Sequence, residues 1–114
     1  MTQPTSPSKV LSLSKIEEVV SDVQKIFQGY LKILGMDDPG ARVGDGKYGH
    51  PFVYKRGDGG FYHPPMSITM EVNRLVGGEP PGDDSLVDEI NKANTLGKDY
   101  IPNQEIADRL RARR

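Results

Sequence analysis

Lys15 to Leu34, KIEEVVSDVQKIFQGYLKIL, is the stretch on which the fold turns. Its apolar residues fall at Ile16, Val19, Val20, Val23, Ile26, Phe27, Tyr30, Leu31, Ile33 and Leu34. Steps of three and four place nearly all of them on one stripe of a helix. Ser14 and Glu17 have capping-box spacing, so the hydroxyl can take the N–H three residues on while the carboxylate reaches back. Gly35 is the residue type that ends helices in the left-handed conformation. A helix of about twenty residues is roughly 30 Å long and can span a small domain.

On the N-terminal side, residues 1–13 are rich in Ser, Thr, Pro and Gln and read as an extended arm. On the other side, residues 35–49 hold Asp37, Asp38, Pro39, Gly40, Gly44 and Gly46 and read as an irregular loop. Aromatic and β-branched residues then flank Arg56-Gly57-Asp58-Gly59-Gly60, a strong hairpin signal. With Asp58 and Gly59 at the centre of the turn, Arg56 faces Phe61, Lys55 faces Tyr62 and Tyr54 faces His63. One face then shows Phe52, Tyr54, Arg56, Phe61 and His63, the surface best suited to binding a partner.

Pro64-Pro65 stops the ladder, because neither residue can donate a hydrogen bond. Met66 to Asn73 alternates apolar and polar, and with Ile, Thr and Val present it reads as a strand. The competing reading of 66–76 is a helix using Ile68, Val72, Leu75 and Val76. After the break Gly77-Gly78-Glu79-Pro80-Pro81-Gly82, a helix is expected over Ser85–Leu96, capped by Asp84 and ended by Gly97. It turns Leu86, Val87, Ile90 and Ala93 inward. A last helix follows the cap Asn103 and uses Ile106 and Leu110. The expected fold is α+β: one long amphipathic helix packed on a small antiparallel sheet or hairpin, two further C-terminal helices, and extended terminal arms. Residues 14–108 form a single small domain, and 109–114 a basic C-terminal tail.

Composition narrows the class. The 114 residues are 35% hydrophobic, with no Trp, and about a fifth are Gly or Pro against a usual share of roughly 12%. One modest core and much loop follow, so support from neighbouring subunits is expected. Net charge is −1, which provides no global field toward DNA or acidic membranes. The charge is segregated, however: residues 67–108 carry three basic and nine acidic side chains, and residues 109–114 carry four arginines and no acid. The absence of cysteine excludes disulfides, thiol catalysis and thiolate metal sites. With no signal-peptide core and no run of about eighteen apolar residues, the expected location is cytoplasmic or within a virion.

No motif names a chemistry. Gly44-Asp45-Gly46-Lys47-Tyr48-Gly49 matches the GxGxxG string, but it follows a helix instead of a strand and leads into His50-Pro51 instead of a helix start. His50 and His63 could approach Asp45 or Asp58 across the hairpin base, yet no paired ligand spacing supports a metal. Arg56-Gly57-Asp58 is the integrin tripeptide, and turn chemistry alone accounts for it. Asp83, Asp84, Asp88 and Glu89 suit a helix N-terminus electrostatically. Residues 103–110 are similar to the first helix of some helix-turn-helix proteins, but the recognition helix has no counterpart here.

The expected function is therefore a non-enzymatic structural or assembly protein, acting through protein–protein contacts in a homo- or hetero-oligomer. A bacteriophage virion component (connector, tail or capsid-cementing protein) is a natural example. No cofactor, metal or membrane partner is expected. Partner contacts are assigned to Phe52, Tyr54, Arg56, Phe61 and His63, and to Arg109, Arg111, Arg113 and Arg114, which could meet the acidic belt of an adjacent copy. The alternative is a small nucleic-acid-binding or regulatory protein using those C-terminal arginines.

Overall fold

The helix that the apolar stripe predicts runs from Leu13 to Ile33 and is labelled α1. The computed structural model describes residues 13–44 and 52–112, with side chains from Glu18 onward. The first twelve residues of the arm, the GxGxxG string from Asp45 with His50, Arg113 and Arg114 all lie outside the described residues. So do the side chains of Ser14 and Glu17. α1 buries Val19, Val23, Phe27, Tyr30, Leu31 and Ile33. Each fully buried side chain of this kind contributes about 1.5–3 kcal/mol. Gly35 ends the helix region with φ at +75°.

Two short strands follow, β1 (Arg42–Val43) and β2 (Tyr54–Lys55), paired antiparallel with Arg42 opposite Lys55 and Val43 opposite Tyr54. Gln24 of α1 fastens them: its amide donates to the Ala41 carbonyl at 3.2 Å and accepts from the Val43 N–H at 3.0 Å. The fold is α+β, with the long helix against the small sheet.

The stretch expected as a strand is a helix, α2 (Met66–Val76), and that expectation is corrected. It buries Ile68, Glu71 and Val72, while Leu75 and Val76 pack partly buried against the core. That is helical spacing. The alternation misled because Met66 and Met70 face outward, 63% and 48% exposed, while a carboxylate takes an inward position. The Pro65 carbonyl accepts from the Ile68 and Thr69 N–H groups, which starts the helix, and Gly78 at φ +75° follows its end.

α3 (Asp84–Leu96) and α4 (Gln104–Ala112) complete the chain, with a short 3₁₀ turn, Gly97–Asp99, between them. The cap of α3 is Asp83, one residue before the expected Asp84; its carboxylate accepts from the Leu86 N–H at 3.1 Å. Asn103 caps α4 as expected, accepting from the Ile106 N–H at 3.2 Å. Leu86, Ile90, Ala93, Ile106, Ala107 and Leu110 join the core, and Val87 is half-buried. Among the described residues three helices therefore follow α1, not two.

α1 packs chiefly on α3 and then on α2. The crossing with α3 depends on Gly29, where a Cβ would lie 2.5 Å from Ile90 Cγ2 and 2.9 Å from the Ile90 carbonyl oxygen. A polar chain ties the other three helices together. Buried Glu71 on α2 accepts from the Gly82 and Asp83 N–H groups, at 3.1 and 2.9 Å to Oε2. Asp83 caps α3 and also accepts from Arg109 of α4 at 2.9 Å. The Arg109 bond is the main influence holding the Asp83 carboxyl below its ordinary range. Arg109 and Arg111 thus lie on α4. No described helix is long and apolar enough to cross a membrane.

Candidate functional site: an aromatic groove

The hairpin forms one step out of the expected register. Lys55 opposes Phe61, the Arg56 N–H donates to the Gly60 carbonyl, and the Tyr62 N–H donates to the Tyr54 carbonyl. The turn is closed by Gly59 N–H to the Arg56 carbonyl at 3.1 Å, with Gly59 itself at φ +102°. This is the three-residue loop with a left-handed glycine. Its cause lies in two carboxylates. The two-residue turn needs the N–H groups of Gly57 and Gly60 for its closing pair. Asp38 takes the first at 3.0 Å and Asp58 takes the second at 3.1 Å. Hydrogen bonds to carboxylates are roughly twice as strong as neutral ones, so the diverted pairing wins.

A one-step shift exchanges the two faces of a strand. Tyr54 therefore meets Tyr62, with ring centroids 5.2 Å apart, and not His63. Tyr54 is 1% exposed and stacks on Phe27 of α1 at 4.5 Å, with planes 12° apart. It belongs to the core, so the expected five-residue face does not form. Phe61 is turned outward and is 48% exposed. His63 is also exposed. Arg56 is spent locally: its Nε and Nη2 donate to Asp58 at 3.0 and 2.7 Å, which pairs the two charged groups of the Arg-Gly-Asp tripeptide with each other. That pairing brings the Asp58 carboxyl down to about 2.

Between the hairpin and α2 lies a groove of about 600 Å³. The hairpin and the Pro64 that follows supply Phe52, Val53, Tyr54, Phe61, Tyr62, His63 and Pro64; α1 supplies Phe27, and α2 supplies Thr69, Val72 and Asn73. The Tyr62 hydroxyl donates to Asp38 at 2.7 Å, which fixes its ring as a wall. Burial, with that bond second, pushes the Tyr62 hydroxyl up to about 12. The Gly57 N–H, and then Tyr62, hold the Asp38 carboxyl below the ordinary range.

Phe27, Thr69, Val72 and Asn73 are lining residues that sequence reasoning missed, since only packing brings them to the hairpin. The groove can hold apolar and aromatic groups, with Thr69, Asn73 and His63 able to exchange hydrogen bonds. Among the described residues no three His, Asp or Glu side chains stand close enough to share a metal ion.

One defect marks the wall. The Tyr54 hydroxyl is the buried side-chain polar atom without a partner among the described residues. Burial pushes it up to about 12. Tyr54→Phe is expected to stabilise the fold by about 1 kcal/mol, because a buried hydroxyl without a hydrogen bond costs more than none. Urea unfolding measures this, and a loss of stability would show that the hydroxyl has a partner.

The arginines assigned to a partner are placed differently. Arg109 bonds Asp83 at 2.9 Å, and Arg111 reaches Asp108 at 3.5 Å and the Leu34 carbonyl at 3.3 Å. Compared with protein-family models, curated proteins and solved structures, the chain matches none of them.

Proposed function

We propose that this protein is a non-enzymatic assembly component that acts through protein–protein contacts, with the aromatic groove as its contact surface. The observation that carries this reading is the open groove of about 600 Å³, walled by aromatic rings, with Phe61 48% exposed at its edge. Rings left half in water are characteristic of surfaces that a partner covers. Met66 and Met70 of α2 are exposed as well, and methionine side chains can repack against different shapes. Phe52, Phe61 and His63 remain the contact residues of this reading, joined by Thr69 and Asn73, while Tyr54 acts as a backing wall. A many-copy particle is its natural setting, a bacteriophage virion among them; the support is general character, a small chain with a groove that stands open among the described residues. Nucleic-acid binding through the C-terminal arginines has less support, since Arg109 and Arg111 are turned to partners within the chain.

Sedimentation velocity from about 1 μM to about 1 mM tests the reading. Association that rises with concentration, and weakens about tenfold or more in Phe61→Ala with the helical circular dichroism unchanged, is the expected result. A monomer throughout, or association indifferent to Phe61, overturns it.

A further inference from the structure

We infer that Asp58-Gly59 at the hairpin tip is a modification site, where the backbone rearranges through a succinimide to isoaspartate, and that Arg56 holds this reaction in check. The reaction needs a carboxyl group beside an unshielded amide nitrogen. Gly59 has no Cβ to shield its nitrogen, and residues 56–59 are all exposed to water. In the first step the Gly59 nitrogen gives up its proton and bonds Cγ of Asp58. The carboxyl hydroxyl leaves, so one molecule of water is lost. In the second step water adds back to the ring. Where it breaks the bond between the Gly59 nitrogen and the main-chain carbonyl carbon of Asp58, the backbone continues through the side chain and is one carbon longer.

Both partners in the first step are restrained. Only a neutral carboxyl has a hydroxyl to lose. Arg56 Nε and Nη2 grip the two oxygens of Asp58 at 3.0 and 2.7 Å, and the Gly60 N–H donates to the first of them at 3.1 Å. These bonds favour the ionised carboxylate, which has no such leaving group. The attacking nitrogen is engaged as well, because the Gly59 N–H donates to the Arg56 carbonyl at 3.1 Å. Arg56 therefore holds the electrophile with its side chain and the nucleophile with its backbone. An ion pair whose side chains are 45% and 65% exposed adds little to stability, so the effect of this one falls on reactivity. The extra carbon would enter the turn that sets Lys55 opposite Phe61, and would disturb the rung that orients the hairpin's rings.

The test incubates full-length wild type, Arg56→Lys and Arg56→Ala at neutral pH and measures isoaspartate at position 58 by peptide mapping with electron-transfer fragmentation. Native wild type is expected to form it about tenfold or more slowly than the same chain in urea, where the grip is dissolved. Native Arg56→Ala is expected to form it about tenfold or more faster than native wild type, because a carboxyl returned toward its ordinary range is neutral that much more often. Arg56→Lys falls between, since an ammonium keeps the charge but loses the two-pronged grip. Protection of the Tyr62 N–H from hydrogen exchange shows that the hairpin stays paired, and should Arg56→Ala lose it, Arg56→Lys carries the same comparison. A variant that keeps this protection and forms isoaspartate no faster than wild type overturns the inference. So does a native wild type that forms it as fast as the chain in urea.

Discussion

Replacing Glu71 by alanine lowers the stability of this protein by about 3 kcal/mol, measured by urea unfolding. The carboxylate is 5% exposed and serves the Gly82 N–H and the Asp83 N–H. These donors lie where the chain turns from α2 into α3, on an exposed Gly82 and a half-buried Asp83, and removing the acceptor deprives both of it and opens a cavity. Hydrogen bonds to a charged group are worth about 1.5–3 kcal/mol, and the cavity left by the side chain adds to that loss. The effect spreads, because Asp83 both caps α3 and receives Arg109. Glu71→Gln keeps the shape and one strong acceptor, so its loss is smaller. A neutral Glu71→Ala would mean that the α2–α3 connection is held by packing alone.

Gly29→Ala is expected to destabilise by about 2 kcal/mol, the scale of overpacking in a tight core. The sign is the point of the measurement. Alanine is the better helix former by about 1 kcal/mol, so on α1 in isolation the change would stabilise. Against α3 the new methyl would meet the Ile90 carbonyl oxygen at 2.9 Å, and a backbone atom cannot rotate away as a side chain can. α1 and α3 must separate, which loosens Ile90 and Ala93, 2% and 0% exposed in the present packing. Unfolding in urea, with and without the substitution, reads the difference directly, and a gain in stability would show that the crossing has room to spare.

These two residues also show where the sequence was legible and where it was not. α1, α3 and α4 could be read because their inward residues recur at helical spacing, with Gly35, Gly97 and Asn103 in positions their local chemistry favours. α2 could not, because its pattern is broken by an inward carboxylate whose partners, Gly82 and Asp83, stand eleven and twelve residues away. The aromatic run from Phe52 to His63 pointed to the groove, yet Phe27, Thr69, Val72 and Asn73 come to it from α1 and α2. The fate of the arginines was equally distant: Arg109 is paired across twenty-six residues. Local periodicity carries helices well, and it carries little about which charge will be satisfied by what.

Asp38 never reaches the outer edge of the groove, but it determines what that edge is. By drawing off one amide hydrogen nineteen residues further along, it moves the ladder a single rung. One tyrosine is thereby sent to the interior and one phenylalanine is left facing water. The stickiness of this molecule's exterior thus depends on a carboxylate on the loop behind it, acting with that of Asp58.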